Sequence, residues 1–417
     1  MESKAQNVTV ALSLAGAIGL LILAMLACST ATPPAASLTA VSSTGTTDGP
    51  PVERPTLVSA FIQPASPADY PAAIQKYLNT GGDAAMLEQT LAEWGVLPPE
   101  APGQVVAVDL TGDGGAEIVV ALWYVGDAAA PSGDLLVFGQ QGESYMLLYQ
   151  AGYDPSGPAT RLLPVVDADG DGRQDVIYTL STCGAHTCFE SLEVLGWQET
   201  GFSSLMGGRL DMPYPTYTVT PGRIDAESGS IASVGAEPQR GYSEVWEWNG
   251  SVFTVTQQIW APPVYRYHAL LDGDYALFGE DYPVAVAAYE RVIGDDALQE
   301  WGAVSGTVDP AVERAQLAAF ARWRLVLAHL QAGDLESAQA AYEQLQAEYP
   351  TGAVGHDVAA LAEVFWGTYV VDGSVVDGCL ALVVAAKEDT SVHDFFNVNY
   401  GYANPRWEAV DICPFVE

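Results

Sequence analysis

The chain has 417 residues, nearly half of them hydrophobic, and carries 15 Lys+Arg against 52 Asp+Glu for a formal charge of −37. That length suits two to three domains with real cores. So acidic a surface repels nucleic acid and anionic lipid headgroups; it suits either solubility, as in a salty medium, or work among divalent cations, and charge alone does not choose between them.

The amino terminus reads as a targeting segment. Lys4 is followed by the apolar run VTVALSLAGAIGLLILAML, long enough to cross a bilayer, which ends in LAMLACS. This ending resembles the lipobox of bacterial lipoproteins, and the resemblance makes residues 1–28 a signal peptide with lipobox and Cys28 the residue lipidated after cleavage. An uncleaved transmembrane anchor is the alternative. Either reading exports the remainder and holds it on the outer side of a bacterial membrane. Residues 29–58 are rich in Ser, Thr, Pro and Ala without apolar period, which predicts a disordered tether. Its random-coil span is roughly 30 Å.

Residues 59–100 form a helical lead-in. Ile74, Tyr77 and Leu78 share one face, Leu87, Leu91 and Trp94 another, and Thr80-Gly81-Gly82 separates two helices.

From residue 101 to 262 the period becomes that of strands, and a frame repeats. VVAVDLTGDGGAEIVVALW and LLPVVDADGDGRQDVIYTL both place an acidic, Gly-rich loop between apolar strands, with Asp109 and Asp167 58 residues apart. The same step leads to Asp225 in PGRIDAESGSIASVG, a degraded copy of the loop. Each loop precedes a hairpin with a tight turn at Gly142, Gly201 or Gly250. Three copies predict three antiparallel units of about four short strands each.

The second loop carries the sharpest chemistry. Asp167, Asp169, Asp171 and Asp175 occupy positions one, three, five and nine; Gly172 is sixth, and the Arg173 carbonyl at position seven is expected to face inward. Alternate carboxylates in a tight turn converge on one point, and hard oxygen ligands in this number suit Ca²⁺. Tyr178 at position twelve, where an EF-hand has Glu, and the strand that follows separate it from that motif. The pattern D-x-D-x-D-G-x-x-D between strands resembles the calcium loops of FG-GAP repeats, found in integrin α-chain propellers and bacterial surface proteins. The resemblance implies propeller-blade-like units and bound Ca²⁺, although three units do not close the usual ring of about seven. The first loop has Asp109, Asp113 and Glu117 at positions one, five and nine, Gly115 at seven, and Thr111 in place of the third carboxylate, which lowers the expected affinity. In the third copy Gly229 and Ser233 replace carboxylates, and no ion is expected.

From residue 263 to 350 helices return. Ala338, Tyr342, Leu345 and Pro350 fall where a tetratricopeptide repeat has its small, aromatic, apolar and terminating residues. Ala285, Tyr289 and Val292 repeat the second-helix half, 53 residues earlier, so an insertion such as DDALQEWGAVSGTVDP separates the units. Arg322 stands where the family usually carries Trp. The resemblance implies a concave surface for a protein or peptide partner; a plain helical bundle is the alternative. Residues 351–417 form a helical cap, with one or two helices over 355–388 and a loop-rich aromatic tail.

Four cysteines remain besides Cys28. In an oxidising compartment the simplest pairing is Cys183–Cys188 and Cys379–Cys413. A zinc or redox site using His186 is the rival for CGAHTC, but no second Cys pair of similar spacing supplies the remaining ligands. No phosphate loop, dinucleotide fingerprint, nucleophile elbow or H-E-x-x-H pair occurs in the sequence. The whole reads as an α+β multidomain protein, a non-catalytic binding or scaffolding lipoprotein. An accessory carbohydrate binder or envelope enzyme using Trp246, Trp248 and Trp260 is the alternative.

Overall fold

The computed structural model describes residues 61–99, 101–125, 130–184 and 186–416. Cys28, the apolar run and the tether lie outside them. No helix among the described residues is long and apolar enough to cross a membrane.

The chain enters through α1 (Tyr70–Asn79) and α2 (Ala84–Glu93). Asp83 caps α2 by accepting from the Met86 amide at 2.8 Å. The break between the helices depends on glycine: Gly81 has φ +88°, and a Cβ on Gly82 would lie 2.2 Å from the Tyr77 ring. Ile74, Tyr77, Leu78, Leu87 and Leu91 then cover one face of the first sheet.

That sheet is an antiparallel meander of β1 (Val105–Val108), β2 (Glu117–Tyr124), β3 (Ser132–Gln141) and β4 (Ser144–Gln150). A second meander follows, β5 (Ala159–Leu162), β6 (Val176–Cys183), β7 (Cys188–Gln198) and β8 (Gly201–Ser204), with β9 (Leu210–Pro213) pairing the first half of β7. The third is β10 (Thr216–Thr220), β11 (Arg223–Glu227), β12 (Tyr242–Trp248) and β13 (Phe253–Trp260).

The three sheets stack in chain order. Alternation along β2 and β3 sends Val120, Leu122, Leu136 and Phe138 towards α1 and α2, and Val119, Ala121, Leu135 and Val137 towards the second sheet. The second and third sheets meet through Ile177, Leu192, Val194, Ile224, Ala226, Trp246 and Phe253. Buried Gln104 clamps the first junction, donating to the Leu162 carbonyl and accepting from its amide at 3.1 and 2.9 Å. Because both faces of β2 and β3 are covered, their sequences read as continuous apolar runs rather than clean alternation.

The third unit departs from the expected frame. Asp225 lies inside β11, opposite Val245, and not in a loop. The connection that corresponds to the acidic loops has shrunk to the Pro221-Gly222 turn. The long loop, residues 228–241, instead joins β11 to β12. In the second unit the tight turn is Glu199-Thr200, with Glu199 at positive φ, while Gly201 opens β8.

The helical part begins with α3 (Arg266–Phe278) and α4 (Tyr282–Gly294), packed as an antiparallel hairpin in which Gly273 admits the Tyr289 ring. The anticipated insertion follows and contains the single turn α5 (Gly302–Ser305). Buried Arg266 ties it down, donating to the carbonyls of Asp295 and Leu298 and pairing with Glu300 at 3.1 Å. Next come α6 (Pro310–Gln331), α7 (Leu335–Glu348), α8 (His356–Asp372) and α9 (Val375–Glu388). Arg322 pairs with Glu348 at 2.7 Å, and its neighbour Trp323 fills the core. His329 lies in the last turn of α6, half-buried. Two elements in the stretch read as tail, α10 (Ser391–Asn399) and α11 (Ala409–Ile412), complete the set. The architecture is mixed α+β with antiparallel sheets and about eleven helices; the described sheets form no closed barrel or propeller.

Candidate metal centre

The acidic loop of residues 163–175 connects β5 to β6, and its ends are pinned where the Asp175 amide donates to the Val166 carbonyl at 2.8 Å. Its carboxylates organise the backbone. Asp167 accepts from the amides of Gly170 and Gly172 at 2.8 and 3.1 Å. Both glycines have positive φ, which lets these amides turn inward. Asp169 accepts from the Asp171 amide at 3.0 Å. Buried Asp175 gives one oxygen, Oδ2, to the amides of Ala168 and Asp169 at 2.9 and 3.3 Å.

Carboxylates accept about four hydrogen bonds, so these contacts leave lone pairs free. One oxygen each from Asp167, Asp169 and Asp175 lies within 4.8 Å of the other two. Asp171 is drawn away from this group. It accepts from the Arg173 amide at 2.8 Å and pairs with the Arg173 guanidinium, which also donates to the Trp197 carbonyl at 3.1 Å. The three clustered carboxylates are therefore short of positive charge. Burial, with the Asp169 charge adding to it against the Ala168 amide, pushes Asp175 up to about 6. Burial also raises Asp169, and the neighbouring Asp171 and Asp167 charges add to that.

The donor set fits a hard divalent cation. Two oxygens on one Ca²⁺ are at most about 5 Å apart, given bonds of about 2.3–2.6 Å, whereas Mg²⁺ at about 2.0–2.1 Å draws them within about 4.2 Å. Asp167, Asp169 and Asp175 would hold the ion, with loop carbonyls and water completing six to eight positions. The loop opens onto a surface recess of about 520 Å³ that also meets Trp248, which gives an ion access.

The first loop repeats the scheme except at position three, where Thr111 lacks the carboxylate with which Asp169 accepts from the Asp171 amide. Asp109 accepts from Gly112 and Gly114 at 2.7 and 3.0 Å, Asp113 from Gly115 at 2.7 Å, and Glu117 from Leu110 and Thr111 at 2.8 and 3.2 Å. Burial raises the Glu117 carboxyl, against the Leu110 and Thr111 amides. With Thr111 at position three there is no third clustered carboxylate, and the Thr111 hydroxyl is buried without a partner. The two loops adjoin, since Gly112 faces the Arg173 side chain. Beyond them, the Gly222 amide donates to the Ala168 carbonyl at 2.6 Å. The loops and the third-sheet turn thus form a row on one edge of the stack. Asp225 is occupied by Arg223 at 2.6 Å, which lowers its carboxyl.

The sequence pattern located the carboxylates but not the partners that sort them. Trp197 and Gly222 act through backbone atoms and leave no residue-type signal.

Two further sets of predicted residues have defined places. Cys183 and Cys188 are register partners on β6 and β7 with Cα atoms 4.0 Å apart, and Cys379 and Cys413 are 5.2 Å apart; both pairs are disulfides, so no thiolate zinc site forms at CGAHTC. Trp246 is buried between sheets, Trp248 packs on Phe253, and Trp260 stacks on Tyr275. No protein-family model, curated protein or solved structure matches this chain.

Proposed function

We propose that the chain is an exported, membrane-tethered lipoprotein that binds or scaffolds rather than catalyses. In this reading lipidated Cys28 anchors it outside a bacterial membrane, and the three β units form an open, FG-GAP-like arc braced by Ca²⁺. The tetratricopeptide-like hairpins α3–α4 and α6–α7 offer their surface to a protein or peptide partner. The observation that carries the reading is the convergence of Asp167, Asp169 and Asp175 in a loop whose hydrogen-bond scheme recurs 58 residues earlier. A duplicated, buried-carboxylate loop between strands is expensive to maintain without a cation, and an extracytoplasmic setting supplies Ca²⁺. Two disulfides agree with an oxidising compartment.

The test is calorimetric titration of the full chain with Ca²⁺, followed by thermal unfolding with and without chelator. Saturable binding with a raised melting temperature supports the reading, because a ligand of the folded state must stabilise it. Identical melting curves in the two conditions sink it.

A further inference from the structure

Helix α9 has an apolar outer face. One side of it is used up inside the fold: Gly378, Cys379, Leu382, Val383 and Ala386 are buried, packed by α8 and α11, with the Cys379–Cys413 bridge holding them there. On the other side Val376, Leu380 and Val384 follow one another at four-residue steps and are 40, 46 and 60% exposed. Val370 and Val371, where α8 ends and the chain turns into α9, are 61 and 82% exposed. Single apolar residues on a surface are ordinary, but a row at helical period is a stripe. The outer face of α7 shows what solvent selects elsewhere in this chain: Glu336, Gln339, Glu343 and Gln344. A stack of helix pairs ends on a polar outer face when nothing follows it. The α8–α9 pair ends on the opposite.

Two charges frame the stripe. Asp377 lies in the first turn of α9 and Lys387 in the last; both are exposed, and no ion pair among the described residues involves either. Lys387 is one of three lysines in the chain. The spacing is symmetric, with Leu380 three residues in from Asp377 and Val384 three residues in from Lys387. Two copies of α9 laid antiparallel about a two-fold axis at the level of Leu382 therefore set Leu380 against Val384 of the copy. The same register sets Asp377 against Lys387, at both ends. A self-complementary patch of this kind is what a two-fold interface requires.

Other occupants fit less well. A bilayer surface would have to take Asp372, Asp377 and Glu388 along with the valines, and a partner of one charge would answer only one end of the stripe. The formal charge of −37 does not forbid self-pairing, because at physiological salt exposed charges farther apart than about 8 Å are largely screened.

We propose that the outer face of α9 binds a second copy of this chain, forming a two-fold dimer with Leu380 and Val384 at its centre and an Asp377–Lys387 pair at each end. The interface is independent of the acidic loops and of any ion they hold.

The experiment uses the full chain in detergent at physiological salt. Sedimentation equilibrium reads association, and carbodiimide cross-linking of mixed ¹⁴N and ¹⁵N protein, read by mass spectrometry, reports which carboxylates touch which lysines. Within one chain Asp377 and Lys387 are ten residues apart on one helix, about 15 Å, too far for a zero-length bond, so a cross-link between them reports a second copy. The expected result is a concentration-dependent dimer that yields this cross-link between differently labelled chains. Leu380→Glu should weaken the dimer at least tenfold. Asp377→Lys and Lys387→Asp should each weaken it about three- to tenfold, and the two together should return it to within about threefold of the parent. That exchange opposes the dipole of α9 itself, so the recovery can come only from contact between copies. Three outcomes overturn the proposal: a chain that stays monomeric at about 100 μM, a dimer indifferent to Leu380→Glu, or a dimer without the 377–387 cross-link. The cross-link is read on the unsubstituted chain, so a variant that fails to fold does not shield the idea.

Discussion

Replacing Asp169 by Asn should change sign with calcium. At 4.8 Å two carboxylate charges repel by about 3.5 kcal/mol at an effective dielectric of about 20, and by about 1 kcal/mol in bulk water. Asp169 is half-buried, so removing its charge from the company of Asp167 and Asp175 should stabilise the calcium-free protein by about 1–2 kcal/mol. The bond to the Asp171 amide survives, because the Asn carbonyl accepts in the same place. With calcium the order reverses. A site held at 100 times its dissociation constant contributes about 2.7 kcal/mol, which for the roughly 350 residues described is a rise of about 4 °C. The parent should show that rise on adding Ca²⁺ after chelation, and Asp169→Asn should show little of it. Differential scanning calorimetry of both proteins, each with chelator and with 1 mM Ca²⁺, gives the four numbers needed. A variant that melts below the parent in chelator would refute the reasoning, since Asp169 would then be a turn-forming residue whose charge the fold needs.

Other expectations follow from the same structure. Removing the Cys379–Cys413 bridge, whose ends are 34 residues apart, should cost roughly 4 kcal/mol, against about 2 for Cys183–Cys188 five residues apart; chemical denaturation of the two double Ala variants orders them. Burial, with Arg240 adding and Pro238 and Asp272 opposing, pulls His268 from 6.5 to about 4. The unfolded chain therefore binds this proton at higher pH than the folded one. Stability should fall as pH drops from 6.5 to 4, by about 3 kcal/mol in all, and His268→Gln should remove that slope from urea melts taken across the window. Asp274 is buried against Arg324 at 2.9 Å and accepts from the Tyr289 hydroxyl at 2.6 Å. Asp274→Ala should cost about 3–5 kcal/mol by stranding the guanidinium, while Tyr289→Phe should cost only about 1–2; equal losses in the two variants would contradict the pairing.

What the sequence disclosed depended on how local the cause was. The break at Gly81-Gly82, the hairpins at Gly142 and Gly250, and the acidic loops are set by residues adjacent in the chain, and their patterns were visible. The third unit was misplaced because a fixed step of 58 residues carried the frame onto Asp225, whereas the chain had shortened one connection to Pro221-Gly222 and lengthened another to 228–241. Asp171 looked equivalent to its neighbours, but Arg173 and the Trp197 carbonyl turn it aside. Helix α10 was hidden in the aromatic tail because its order comes from partners far off in sequence: Phe396 stacks on Trp407, 4.3 Å between ring centroids, and Tyr400 on Tyr267, 3.6 Å.

The bonds from Gly401, Tyr402 and Asn404 to residues 235–238 have a mechanical meaning. The helical part is joined to the third sheet by the chain running from β13 into α3 and, again, by its own tail returning to loop 228–241. A body held at its hinge edge and at its latch edge does not swing. A pull on the first sheet would therefore be passed through the stack to the helices as through a single strut, rather than spent in opening an angle between them.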